Sequence, residues 1–126
     1  MKAKERILIV DDEKDMCNII SKFIKEEGYL SEIAHDGKRA LRKIKNKTYD
    51  LIILDYKLPD ISGLEVLGEI GRLRPKLPVI MISAYGNDDV KEKASKLGAV
   101  TFLDKPFDIS KLVTIIRIQL ANEKFR

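Results

Sequence analysis

A chain of 126 residues, 44 % of them apolar and 35 % charged, can fill one hydrophobic core and excludes a two-domain enzyme. Its 24 Lys and Arg against 20 Asp and Glu leave a net charge of +4, with the cations interspersed among acids from Lys22 to Lys47 and from Lys91 to Arg126. Solvated helix faces are therefore expected, and a nucleic-acid surface is not. The lone cysteine, Cys17, excludes an internal disulfide and a multi-cysteine zinc site and suits a reducing compartment. Only four apolar residues separate Arg6 from Asp11, too few for a signal peptide or a membrane span, so a cytoplasmic location without membrane contact is expected.

The first apolar run, Ile7-Leu-Ile-Val10, does not alternate and predicts a strand covered on both faces. A helix follows with Met16, Ile20, Phe23 and Ile24 on one stripe, closed by Gly28. Ser31-Glu-Ile-Ala34 is more polar and predicts an edge strand, after which Asp36 opens a helix carrying Ala40, Leu41 and Ile44. Leu51-Ile-Ile-Leu54 is the third strand. Ser62-Gly-Leu-Glu65 is a capping box that starts a helix with Leu64, Leu67 and Ile70 inward. Val79-Ile-Met-Ile82 predicts the fourth strand, followed by a helix with Val90, Ala94 and Leu97. Gly98 and Asp108 bracket the last strand, Val100-Thr-Phe-Leu103. The final helix has its core stripe at Ile109, Leu112, Val113, Ile116 and Leu120. Five βα units in succession imply an α/β fold with a parallel sheet and helices on both faces, a single domain over residues 1–126.

In open α/β sheets ligands bind beyond the carboxyl ends of the strands, and there the polar residues cluster. Asp11 and Asp12 follow the first run, Asp55 the third, Ser83 the fourth, and Asp104 and Lys105 the fifth. His35 and Asp36 end the edge strand, away from the centre. Any one of these aspartates alone is explained as a helix cap, but their coincidence at adjacent strand ends is not. Converging carboxylates repel unless a cation sits between them, and oxygen ligands without His or Cys point to Mg²⁺. An ammonium and a hydroxyl opposite the metal would then contact a bridging anion, which suits a phosphoryl group.

These residues together resemble a response-regulator receiver domain of two-component phosphorelays. The resemblance runs from Ile7 to Leu120 and rests on Ile7-Leu-Ile-Val-Asp-Asp-Glu13, Leu54-Asp-Tyr-Lys-Leu-Pro-Asp-Ile-Ser-Gly63, Ile82-Ser-Ala-Tyr-Gly86 and Leu97-Gly-Ala-Val-Thr-Phe-Leu-Asp-Lys-Pro-Phe107. The last stretch, with Asp108 and Ile109, is similar to stand-alone sporulation-relay regulators and to receivers of nitrogen-regulation-type activators. The resemblance implies a flavodoxin-like doubly wound (βα)5 fold with strand order 2-1-3-4-5, which agrees with a polar edge strand.

It also implies a signalling switch that accepts a phosphoryl group on Asp55 from a sensor histidine kinase or histidine phosphotransfer protein. Asp12 would ligate Mg²⁺ (or Mn²⁺) directly and Asp11 mostly through water, with Asp55 and the Lys57 backbone carbonyl completing the set. Lys105 would pair with Asp55 or the phosphoryl oxygens, and Ser83 would hydrogen-bond one of them. Such a protein catalyses its own phosphorylation and dephosphorylation without being a turnover enzyme for a small substrate. Ser83 and Phe102 match the family's switch positions, and Lys105-Pro106 its cis peptide. Output would pass to a downstream target or a second copy through the face of the fourth helix, fifth strand and fifth helix. On that last helix Ile115 and Ile118 fall outside the core stripe and would form an apolar strip.

A haloacid-dehalogenase-type phosphohydrolase shares the Asp, Mg²⁺, Ser and Lys. It carries a second Asp two residues after its nucleophile, where this chain has Lys57, and its nucleophile follows the first strand. A flavodoxin-like nucleotide or flavin module would need a Gly-rich loop after Val10, which is absent. Cys17 is expected as a packed thiol, Met81 as core, and His35 as a loop or helix-start residue rather than a ligand. The chain ends a few residues after its last helix, so a stand-alone regulator is expected.

Overall fold

The structure is a computed structural model that describes residues 4–124. The ends of the expected 1–126 domain, residues 1–3 and 125–126, lie outside the described residues. Ten elements alternate strictly: β1 (Arg6–Val10), α1 (Lys14–Glu26), β2 (Leu30–Ala34), α2 (Gly37–Asn46), β3 (Leu51–Asp55), α3 (Gly63–Leu73), β4 (Val79–Ser83), α4 (Asp88–Lys96), β5 (Thr101–Asp104) and α5 (Ile109–Lys124). The five strands are parallel in the order β2-β1-β3-β4-β5.

The unbroken apolar runs are explained by the sheet's two covered faces. Successive strand residues point to opposite sides. Leu8, Val10, Ile52, Leu54 and Met81 pack with α2, α3 and α4 on one side, while Ile7, Ile9, Ile53, Ile80 and Ile82 pack with α1 and α5 on the other. Between β1 and β3 the winding direction reverses, which opens a crevice at their carboxyl ends.

Local chemistry ends the helices where composition says it should. Gly28 and Gly98 take positive φ after α1 and α4. Asp36 accepts from Arg39 N–H at 2.8 Å, and Ser62 caps α3 by accepting from Leu64 N–H at 3.1 Å, the second helical residue rather than the Glu65 N–H of the expected capping box. The first turn of α2 has a second cap that the sequence did not disclose. Asp60, from the β3–α3 loop, accepts from Gly37 N–H at 2.8 Å and from Lys38 N–H at 2.9 Å. Burial raises its carboxyl, but the backbone N–H bonds together outweigh that and hold it below the usual range. The polar edge strand β2 is stabilised by Glu32, which meets Lys47 at 2.8 Å, Tyr49 Oη at 2.8 Å and Arg6 at 3.3 Å.

Three expected stripes are rotated, shortened or widened. On α1 the buried residues are Cys17, Ile20, Ser21 and Ile24, with Phe23 exposed. The small Cys17 and Ser21 let the helix sit close to the sheet, and Ser31 Oγ donates to Ser21 Oγ at 2.8 Å. Leu97 lies at the end of α4 and is exposed. On α5, Ile115 is half-buried against the core beside Leu112 and Ile116, contrary to its expected place on an exposed strip, and only Ile118 stands out, at 52 % exposure. Among the described residues no helix is long and apolar enough to cross a membrane.

Candidate functional site

Each polar residue expected at a strand end is delivered there by its ladder. Asp11 N–H continues the β1–β2 ladder to Ala34 O at 3.1 Å, Tyr56 N–H bonds Ile82 O at 2.9 Å, and Lys105 N–H bonds Ser83 O at 2.8 Å. The strands therefore end in register, and Asp11, Asp55, Ser83 and Lys105 are placed by the most rigid part of the molecule. Asp11 and Ser83 are wholly buried, Asp55 is 4 % exposed, and Asp12 faces solvent.

Lys105 Nζ ties the site together. It donates to Asp11 Oδ2 at 2.9 Å and Asp55 Oδ2 at 3.1 Å, and reaches Glu13 Oε1 at 3.4 Å. The other oxygens of the two aspartates are held by backbone: Glu13 N–H donates to Asp11 Oδ1 at 3.0 Å and Lys57 N–H to Asp55 Oδ1 at 3.2 Å. Carboxylate oxygens of Asp11, Asp12 and Asp55 all lie within 4.8 Å of one another. The Lys105-Pro106 peptide is cis.

One ammonium among this many carboxylates leaves excess negative charge, and the titration behaviour reflects it. Burial, and then the neighbouring Asp11 charge, push the Asp55 carboxyl up to about 6 despite Lys105. Burial pulls the Lys105 ammonium down, but its bond to Asp11 and the Asp55 charge outweigh this and raise it above the ordinary lysine value. The Cys17 thiol, buried and near Asp11, is pushed up to about 12, so it is a packed, protonated thiol rather than a nucleophile. An oxygen-only donor set with residual negative charge fits a hard divalent cation, which would neutralise what Lys105 alone does not.

A cleft of about 250 Å³ opens over these groups, lined by Asp12, Glu13, Asp55, Lys57, Ala84, Tyr85 and Lys105. Lys57 Nζ lies over the Tyr85 ring, 4.6 Å from its centroid, so two exposed side chains meet at the mouth. Ser83 does not line the cleft; its Oγ accepts from Tyr85 N–H at 2.9 Å. Phe102 is half-buried against the α2–α4 side of the core, and a Cβ at Gly86 would overlap its ring.

The structure thus brings Asp12, Asp55, Lys57 and Lys105 to one cleft, with Asp11 buried behind Lys105, and sets Ser83 and Phe102 beside it, while Ile115 and Ile118 lie on α5. Three participants carried no assigned role in the sequence. Glu13 is the third partner of Lys105, and its only signal was adjacency to the aspartate pair. Gly63 lets α3 start against the Asp55 and Tyr56 backbone, where a Cβ would collide. His35, expected to be idle, contacts the Asp11 carbonyl at 2.9 Å.

The chain is similar in sequence and in fold to known proteins. The chain is 39 % identical over 122 residues to the nitrogen assimilation regulatory protein NtrX of Azorhizobium caulinodans, covering 95 % of this chain and 27 % of that protein. It is 39 % identical over 118 residues to the response regulator ArlR of Staphylococcus saprophyticus, covering 94 % and 53 %. It therefore spans about a quarter to a half of the length of these relatives. Its fold superposes with a TM-score of 0.94 on a CheY-like response regulator receiver domain protein from Methanospirillum hungatei, at 32 % identity over 97 % of this chain and 98 % of that one. The receiver domain of NtrX from Brucella abortus gives 0.85 at 35 % identity, over 91 % and 98 %. Residues 7–117 match the family model of the response regulator receiver domain. A crevice of strand-end carboxylates bridged by one lysine, on a five-stranded sheet of order 2-1-3-4-5, is therefore the acidic pocket of a signalling switch: this chain belongs to the response regulator receiver domains of two-component systems.

Proposed function

We propose that Asp55 accepts a phosphoryl group from the phosphohistidine of a sensor histidine kinase or histidine phosphotransfer protein, and that this group switches the partner-binding face of a cytoplasmic regulator. The observation that carries the reading is Lys105 Nζ bridging Asp11 and Asp55 at the floor of an open cleft. An oxygen of Asp55 attacks phosphorus as the P–N bond to histidine breaks, and the three equatorial oxygens then need cationic or hydrogen-bonding partners. Asp11, Asp12, Asp55 and the Lys57 carbonyl are the groups that would hold Mg²⁺ (or Mn²⁺). When bound, it supplies charge neutralisation at the phosphoryl oxygens.

Lys105 already stands between the acceptor and Asp11, so it can transfer its Asp55 bond to a phosphoryl oxygen while keeping Asp11. Ser83 Oγ uses a lone pair on Tyr85 N–H, which leaves its own hydrogen to donate to a second oxygen. Movement of Ser83 and the β4–α4 loop toward the phosphoryl group would vacate space behind Ser83, into which the Phe102 ring, packed here against Gly86, can turn. The face of α4, β5 and α5 then carries the change to a downstream target or a second receiver, in a stand-alone regulator or a longer protein. The chain acts as catalyst of its own phosphorylation and hydrolysis.

The test is incubation with acetyl phosphate and MgCl₂ followed by intact-mass spectrometry. Asp55→Asn should abolish incorporation, and normal labelling of that variant would sink the assignment. Omission of Mg²⁺ should also suppress labelling.

A further inference from the structure

The parallel ladder between β1 and β2 has a regular rung pattern: Leu30 N–H donates to Glu5 O at 2.8 Å, and Asp11 N–H donates to Ala34 O at 3.1 Å. The next rung would bring Asp36 N–H to the Asp11 carbonyl, but the chain turns away there to cap α2. That carbonyl belongs to a buried residue and sits one peptide before Asp12, so it needs a donor. His35 Nδ1 lies 2.9 Å from it and makes the missing rung with a side chain. Cys17 Sγ donates to the same oxygen at 3.3 Å, so two side chains from α1 and the β2 end use its two lone pairs. The 4.0 Å between Cys17 Sγ and His35 Nδ1 follows from that convergence. A carbonyl cannot donate, so the proton is on His35 Nδ1.

We propose that His35 is a positioning residue for the acid pocket: its Nδ1–H fixes the Asp11 carbonyl, and with it the Asp11–Asp12 peptide that aims both carboxylates at the metal site. The assignment rests on the reading of Asp11 and Asp12 as metal ligands given above. Without His35 that carbonyl keeps only the weaker Cys17 thiol donor, so the peptide gains freedom to rotate about its flanking dihedrals, and a ligand pair on a rotating peptide loses the preorganisation that makes a weak oxygen site bind. The oxygen would also be left short of one bond in the interior.

The chemistry of Nδ1 dictates the test. Asn places its amide nitrogen the same number of bonds from Cα as His Nδ1, Gln places it one bond farther, and Leu has no donor. Magnesium affinity is measured on the whole chain at pH 7.5 by following the Asp12 and Glu13 amide resonances during titration with MgCl₂. Outer-shell partners of metal ligands are typically worth 10–100-fold, so His35→Leu and His35→Gln should bind about tenfold more weakly, with His35→Asn within about threefold of wild type. Wild-type affinity in His35→Leu, or affinity in His35→Asn as poor as in His35→Leu, would overturn the assignment. Should His35→Leu fail to fold, the contrast between Gln and Asn decides. Asp12→Ala is the separate arm: if it binds Mg²⁺ like wild type, the metal reading has failed on its own. His35 is then judged on the Asp12 amide shift of the metal-free protein, which Leu should move and Asn restore; no such movement rejects it.

Discussion

Neutralising Asp55 should make the metal-free protein more stable, not less. Asp55 has an ordinary carboxyl value of 3.8 and a folded-state value near 6, raised by burial and by Asp11. Because the folded value lies above the unfolded one, the contribution of this group is fully present below the unfolded value and is lost as pH rises through about 6. At neutral pH the ionised side chain therefore costs roughly two pKa units, or about 3 kcal/mol. Asp55→Asn keeps the acceptor for Lys57 N–H and removes the charge, but turns an amide toward Lys105 Nζ, so a net gain of about 2 kcal/mol is expected. For a domain of this size that corresponds to roughly 5–10 °C in melting temperature. Circular dichroism melts at pH 7.5 in EDTA should show the rise, and melts at pH 5 should show it roughly halved, because folding then costs only the uptake of a proton by Asp55 between pH 5 and the unfolded value of 3.8. Saturating MgCl₂ should narrow the gap at pH 7.5 by stabilising the wild type. A variant less stable than wild type at pH 7.5, or a difference unchanged at pH 5, would refute the claim that Asp55 holds an uncompensated charge.

Asp12→Ala should abolish the Mg²⁺-dependent rise in melting temperature while leaving the metal-free protein as stable or slightly more so, which paired melts with and without MgCl₂ will read. Truncating Lys57 or Tyr85, whose side chains meet at the cleft mouth, should widen the in-line path for water and shorten the half-life of phosphorylated Asp55 several-fold relative to wild type; equal half-lives in all three proteins would remove that gate. Ile118→Glu should weaken any association induced by beryllofluoride in sedimentation runs without lowering Asp55 labelling, since Ile118 lies on the outer side of α5. An unaltered complex would exclude that face.

Much of this was legible in the chain because it depends on local rules. Four-residue apolar runs without alternation, bounded by turn signals, suit strands covered on both faces, and their observed packing sends alternate residues of each strand to the two layers. Once those strands are parallel and in register, their following residues must meet, so Asp11, Asp55 and Lys105 converge. What stayed hidden depends on distances between elements. The inner face of α1 turns on Cys17 and Ser21, small residues whose value is close approach rather than hydrophobicity. Ile115 reaches the core because α5 presents a wider arc to it than a single stripe at helical spacing suggests. His35 looked isolated because its partner is a backbone carbonyl across a strand boundary, and a sequence carries no mark for that.

Asp60 joins two parts of the molecule that the chain order keeps apart. Its carboxylate belongs to the loop that follows β3, the strand of Asp55, yet both of its oxygens are occupied by the first amides of α2. The start of that helix is therefore borrowed: α2 is wound on an anchor that moves with the β3–α3 loop. Any displacement of that loop, from a bound partner or a cleaved peptide bond, reaches Gly37 and Lys38 before it reaches the rest of the helix. Solvent exchange at those two amides would then serve as a built-in gauge of the state of the pocket, readable at a place no ligand touches.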